Sequence, residues 1–229
     1  NEFNLVVDIP GYQPPISAEI MGTPATRDPE KDFISSADMI NAFKAFGNTV
    51  RQYDKTRAIF SGNSDPRPSA WHNAFNEENK YWIKDNLEEY TDIIKRFECD
   101  PINTIEIRGY VNHGTKATDY PLQMTEPMIY MKGFMDIAAR IGKPIFVGEF
   151  GTSEEWFTDN GKWRTDEDLK QGCFERVKAI VQSGVQLSAL WVYDYPPHEW
   201  MINATFDNKR SYALDYVIDA NERFKERMK

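Results

Sequence analysis

The sequence predicts an α/β fold built on a parallel sheet, and three observations carry that prediction. From residue 35 onward, helix-like and strand-like patterns alternate along the chain. The segments that leave the expected strands are long, whereas the turns that enter them are short, as at the two ends of a barrel. No G-x-G-x-x-G turn follows any expected strand, which favours a closed barrel over an open doubly wound sheet. Four strands each precede a helix, and one further helix stands in front of them. The expected architecture is therefore the second half of a (β/α)8 TIM barrel, from the end of strand 4 through helix 8. In it, residues 1–229 form the C-terminal part of a single barrel whose N-terminal strands lie outside this chain.

Each element follows from its own pattern. Asn1 and Glu2 read as the last residues of a strand. Ser35 to about Lys55 carries Met39, Ile40, Phe43, Phe46, Val50 and Tyr53 at helical spacing, behind a Ser35–Asp38 capping box. "TRAIFSG" reads as a short strand, and "NEENKYWIKDNLEEYTDIIKRFEC" as a helix with Ile83, Leu87, Tyr90, Ile94 and Phe97 on one stripe. "TIEIRGYV" alternates by two, with Ile105 and Ile107 on one side and Glu106, Arg108 and Tyr110 on the other. A helix opened by Thr125 and Pro127 stops at Gly142, before the strand "PIFVGEFG". Thr165 and Asp168 cap the next helix, which stops at Gly184. "LSALWVYDY" is the last strand, and the closing helix runs from Arg210 to about Met228.

Composition bounds the function. Of the 229 residues, 41% are hydrophobic and 28% charged, the balance of an ordinary globular protein with a sizeable core. A formal net charge of -9 argues against nucleic acid or an anionic membrane as partner, since both attract basic surfaces. No run reaches the roughly 18 apolar residues of a membrane span. The two cysteines, Cys99 and Cys173, fall in separate helical segments without metal-ligand spacing and are expected as free thiols. The three histidines, His72, His113 and His198, are too far apart to suggest a metal site, so no metal and no cofactor is expected.

The chemistry gathers in the long segments that follow strands, residues 3–34, 61–76, 112–125, 151–165 and 194–209, where a barrel places its site. Glu149 is the leading candidate. It ends the apolar run "PIFVGE", in which an ionisable group is costly without a partner or a task, and Gly148 and Gly151 beside it permit close approach. The structural alternative is a strand-end salt bridge with Arg108. Trp191, alternating with Ala189 and Tyr193 opposite Leu190 and Val192, either fills the core or points into the barrel mouth. His72 in "PRPSAWH" is either a substrate or acid/base contact or a loop anchor. His113 and His198 read as surface or rim residues, Asp194 as a rim contact, and Glu154 and Glu155 as a solvated loop face.

Taken together, "NEF", "GNSDPRPSAWH", "IRGYVNH", "PIFVGEFG" and "ALWVYDYPPHEW" followed by "NKRSYALDYV" resemble successive strand ends of glycoside hydrolase family 5, the cellulase- and mannanase-like retaining enzymes. The resemblance covers nearly the whole chain and the second half of that family's barrel. It implies Asn1 as a contact to the sugar 2-hydroxyl, Glu2 as general acid/base, Glu149 as nucleophile and Trp191 as sugar platform. Tyr110 matches the tyrosine of the family's His-x-Tyr pair, positioned to hydrogen-bond the nucleophile, while Arg108 stands where the family has histidine. An arginine there could pair with Glu149 or Glu106. The implied activity is endo-β-1,4-glucanase-like hydrolysis of a β-linked glycan, with a secreted or cell-surface location and a need for the N-terminal half of the barrel. A noncatalytic carbohydrate-binding barrel or incomplete pseudo-enzyme is the alternative. Retention needs one carboxyl group protonated and the other ionised, about 5–5.5 Å apart.

Overall fold

The computed structural model describes residues 2–9, 34–75, 83–110, 126–151, 165–185, 187–195 and 203–227. The chain forms two compact units, Asn1–Thr104 and Ile105–Lys229. Asn1, His113, Trp156, His198 and Trp200 lie outside the described residues, as do Thr125, Glu154 and Glu155.

In the first unit, Glu2 is not a strand residue. It has φ 60° and leads into a turn of 3-10 helix at Phe3–Leu5. This segment is tied to the 62–67 stretch mainly through side chains rather than through a ladder. The Glu2 N–H donates to Gly62 O at 2.6 Å. Buried Asn4 donates from Nδ2 to Ser64 O at 2.6 Å and accepts from Ser64 N at 2.9 Å, and Arg67 Nε donates to Leu5 O at 2.6 Å.

Helix α1, Ser36–Tyr53, has the expected capping box between Ser35 and Asp38. Its buried side is rotated from the expected stripe: Met39 and Gly47 are buried, whereas Phe46 and Tyr53 are 55% and 86% exposed. The cause is contact at Gly47, where an added Cβ would sit 2.6 Å from Pro101 Cγ, so the helix seats its smallest residue inward. "TRAIFSG" forms no strand. Side chains take backbone groups there instead, with Thr56 N and Arg57 N each donating to Asp54 Oδ1 at 2.9 Å and Ile59 N to Asn103 Oδ1 at 2.8 Å.

A short helix α2, Ala70–Phe75, which the sequence pattern did not suggest, precedes α3, Leu87–Phe97. The expected helix from residue 76 is corrected here: residues 76–82 are outside the described set, and Ile83–Asn86 is not helical. Asn86 caps α3, accepting from Glu88 N and Glu89 N while Glu89 accepts from Asn86 N, a capping box that replaces further helix upstream. Tyr90, Ile93, Ile94 and Phe97 form its buried stripe, and Ile83 is left 43% exposed.

The second unit is a parallel α/β arrangement. Strands β1 (Ile105–Arg108), β2 (Ile145–Phe150) and β3 (Leu187–Leu190) lie side by side in sequence order. Helix α4 (Pro127–Ile141) links β1 to β2, α5 (Asp166–Ser183) links β2 to β3, and α6 (Tyr212–Arg227) closes the chain. Helix α5 packs against both α4 and α6. Adjacent crossover helices over a sheet that advances in one direction put the helices on one face, a winding compatible with part of a barrel wall. Its central residues are Ile105, Ile107, Val147, Phe134, Ile137, Ala179 and Phe150.

The signals that bound these helices act as read. Pro127 opens α4, with Glu126 rather than Thr125 as the residue before it; Thr165 and Asp168 make the capping box of α5; and Gly142 and Gly184 close α4 and α5 at φ 79° and 81°. The last strand is shorter than expected. After Leu190 the chain leaves the ladder, the Trp191–Val192 peptide is cis, and Tyr193 makes only an isolated bridge with Ala204. The closing helix starts two residues late, at Tyr212, because the Asn208 side chain takes the Arg210 N–H in a turn. Cys99 and Cys173 are free thiols. Among the described residues, no helix is long and apolar enough to cross a membrane.

Candidate functional site

The site is set by a break in the alternation of β2. Ile105 pairs with Ile145 and Ile107 with Val147, but the next pair is Arg108 with Glu149, so one residue of β2, Gly148, is extra. The same interval is irregular against β3, where Val147 pairs with Ser188 and Phe150 with Leu190. Such a bulge places two successive side-chain positions on one face. A Cβ on Gly148 would run into Arg108 Nη1 and Glu106 Oε1, so residue 148 faces these β1 side chains, and Glu149 faces them too. Strict alternation from Val147 would instead have aimed Glu149 to the side of Ile145 and Val147.

On that face the charges are arranged in a row. Arg108 Nη1 lies 2.7 Å from Glu106 Oε1, both side chains being about 95% buried, at 6% and 5% exposure. Arg108 Nε lies 3.6 Å from Glu149 Oε1, an ion pair too long for a hydrogen bond. Glu149 is the more open carboxylate, with 14% of its side chain exposed. Its other oxygen, Oε2, accepts a hydrogen bond from the Tyr110 hydroxyl at 3.1 Å. Arginine thus pairs with both carboxylates weighed from the sequence, and with Glu106 at the shorter distance.

Neighbouring elements hold this row in place. The Tyr130 hydroxyl of α4 donates to Arg108 O at 2.7 Å, and Gly109 N donates to Glu149 O at 2.7 Å. Trp191 N donates to Phe150 O at 2.9 Å, which carries β3's line one residue past its ladder. The Trp191 carbonyl lies where a Cβ of Gly151 would be, so only glycine lets the two strand ends come this close. That same absent Cβ would be 3.7 Å from the Tyr110 ring, so Tyr110, Gly151 and half-buried Trp191 are neighbours.

In the first unit, His72 sits on α2 and its Nδ1 is 2.9 Å from Asp85 Oδ1, with Glu89 Oε2 at 3.9 Å. Asp85 is buried and also accepts from Trp71 N at 2.9 Å and His72 N at 3.2 Å. Burial raises the Asp85 pKa, and the hydrogen bonds from Trp71 and His72 pull it back in part. The arrangement is that of an anchor: one carboxylate fixes both the start of α2 and the imidazole. His72, Asp85 and Glu89 offer ligand atoms within 4.8 Å of one another, a grouping the histidine count alone did not suggest. Asp194 is exposed with φ 47° and donates its N–H to Ala204 O at 3.3 Å.

Sequence reasoning placed Arg108, Tyr110 and Glu149 together, and the structure brings those three side chains into contact. It gave no role to Glu106 beyond a pairing option and did not recognise the bulge. The glycine inside the strand pattern was the available signal.

No protein-family model matches this chain, and no curated protein matches it. Among solved structures, the chain is similar to the endo-β-1,4-mannanase from Thermotoga petrophila, at 10% identity and a TM-score of 0.47 over 79% of this chain and 40% of that one. It is also similar to a glycoside hydrolase family 5 mannosidase from Rhizomucor miehei, at 13% identity and a TM-score of 0.42 over 80% of this chain and 49% of that one. The chain spans less than half the length of either structure.

Proposed function

We propose that this chain contributes the second half of a (β/α)8 barrel to a retaining hydrolase of β-linked glycans, with Glu149 as nucleophile. One observation carries the reading. A partly open carboxylate stands at the C-terminal end of a parallel strand, with a tyrosine hydroxyl on one oxygen and an arginine beside the other. A nucleophilic carboxylate needs this combination: it must be charged, oriented by donors, and accessible on one side. The matching strand-end motifs quoted above supply the partner role, in which Glu2 is the general acid/base and Asn1 the 2-hydroxyl contact.

In this reading a Glu149 oxygen bonds to the anomeric carbon as the glycosidic C–O bond breaks, and the leaving oxygen takes a proton from Glu2. Water then attacks the anomeric carbon and gives its proton to Glu2, and Glu149 departs as a carboxylate. Trp191 supplies an apolar surface for a sugar ring. No cofactor enters the cycle. The natural substrate is a neutral β-glycan, for which the chain's net charge of -9 is no obstacle.

The test is covalent trapping. A gluco- or manno-configured 2-deoxy-2-fluoro glycosyl fluoride, incubated with the intact protein, is expected to leave its sugar on the peptide containing Glu149, read by mass spectrometry. Glu149→Gln should remove the label and lower turnover at least about 10³-fold. Turnover unchanged by Glu149→Gln would sink the reading, and glycan affinity without turnover in the wild type would favour the noncatalytic binder.

A further inference from the structure

Arg108 is shared unequally between two carboxylates. Its Nη1 is at hydrogen-bonding distance from Glu106, 2.7 Å, while its Nε stands off Glu149 at 3.6 Å. Left alone with a carboxylate, a guanidinium closes into a two-pronged pair with both oxygens. Such a pair at Glu149 would occupy the Oε2 that now accepts the Tyr110 hydrogen bond and would stabilise the carboxylate against reaction. The guanidinium is kept from doing so by its hold on Glu106 and by its seat over Gly148, where no side chain competes for the space. Stability alone does not explain a glutamate in mid-strand, because a buried ion pair gains little over a well-packed apolar pair.

We propose that Glu106 is a positioning residue for Glu149: by holding the Arg108 guanidinium back, it leaves Glu149 with a nearby positive charge but free of a close two-pronged pair. The proposal rests on the reading of Glu149 as nucleophile. The described groups that bear on the Glu149 side chain come from one neighbouring strand. Strand β1 and the residues after it present Glu106, Arg108 and Tyr110. The Tyr130 hydroxyl of helix α4 reaches this row only through the Arg108 carbonyl, to which it donates, and buried Arg176 of α5 donates from Nη1 at 3.0 Å to Gly172 O of its own helix. From the side of β3 the described neighbour is Trp191, which carries no charge.

Replacing Glu106 by glutamine removes a negative charge from the row and loosens the arginine, and both effects favour the ionised form of Glu149 while making it less reactive. The experiment measures the second-order rate of trapping by the 2-deoxy-2-fluoro glycosyl fluorides as a function of pH, in the intact protein. Fluoride departs without a general acid, so the acid limb reports the nucleophile. In Glu106→Gln the label is expected still on Glu149, the plateau rate about tenfold lower and the acid limb about one pH unit lower. Glu106→Asp, which keeps the charge on a shorter arm, should move both quantities the same way by less. A Glu106→Gln protein with the wild-type rate and limb, or with the limb moved upward, overturns the proposal. If thermal melting shows that Glu106→Gln does not fold, Glu106→Asp carries the test, and wild-type behaviour there overturns it. Failure of the wild type itself to take the label would instead overturn the nucleophile reading.

Discussion

Gly148 and Glu149 are consecutive in β2 yet face the same side of the sheet, and this one break in alternation sets Glu149 opposite Arg108. A bulge of this kind re-aims a side chain without lengthening the strand's partners. The residue before the re-aimed carboxylate must have no side chain, because the Glu106–Arg108 pair lies over it.

Gly148→Ala is therefore expected to destabilise the second unit by about 1–3 kcal/mol, the range for overpacking a filled site. Gly142→Ala is the control. Its φ of 79° is strained for alanine but nothing lies within 4 Å of the new methyl, so its cost should be limited to about 1–2 kcal/mol of left-handed backbone. Urea unfolding measures both costs, and the rate of trapping at Glu149 separates the cases: only Gly148→Ala should slow it, since only it displaces Arg108.

The Tyr110 hydroxyl donates to Glu149 Oε2 at 3.1 Å, and Tyr110→Phe deletes that bond while keeping the ring. Hydrogen bonds to charged groups contribute about 1.5–3 kcal/mol. On that scale kcat/KM should fall about 10- to 100-fold with little change in melting temperature. A variant with wild-type kcat/KM would show that Tyr110 does not orient the nucleophile.

Cys173 is 1% exposed on α5, and burial pushes its thiol pKa up to about 12. It should stay unreactive toward a thiol reagent at neutral pH until the second unit unfolds, whereas half-buried Cys99 of the first unit should report separately. Reaction of both thiols at one native-state rate would contradict the burial of Cys173. Single Cys→Ser variants assign the two signals.

Local signals in the sequence determined much of this protein. The Ser35–Asp38 and Thr165–Asp168 boxes, Pro127, and the glycines at 142 and 184 bound three helices where the structure has them, because each acts through backbone groups one turn away. The alternation of β1 likewise set Ile105 and Ile107 apart from Glu106 and Arg108, although all four are buried, and the strand-end position of Glu149 singled it out. The readings that failed each turned on a partner from elsewhere in the chain. "TRAIFSG" has a strand's composition, but a strand exists only through a ladder, and here the Asn103 and Asp54 side chains take backbone groups of the segment. The face of α1 was turned by Pro101 packing at Gly47, a contact no helical period contains. Glu149 beside Arg108 rather than beside Val147 was decided by pairing register, since a one-residue offset between strands exchanges the two faces of everything beyond it.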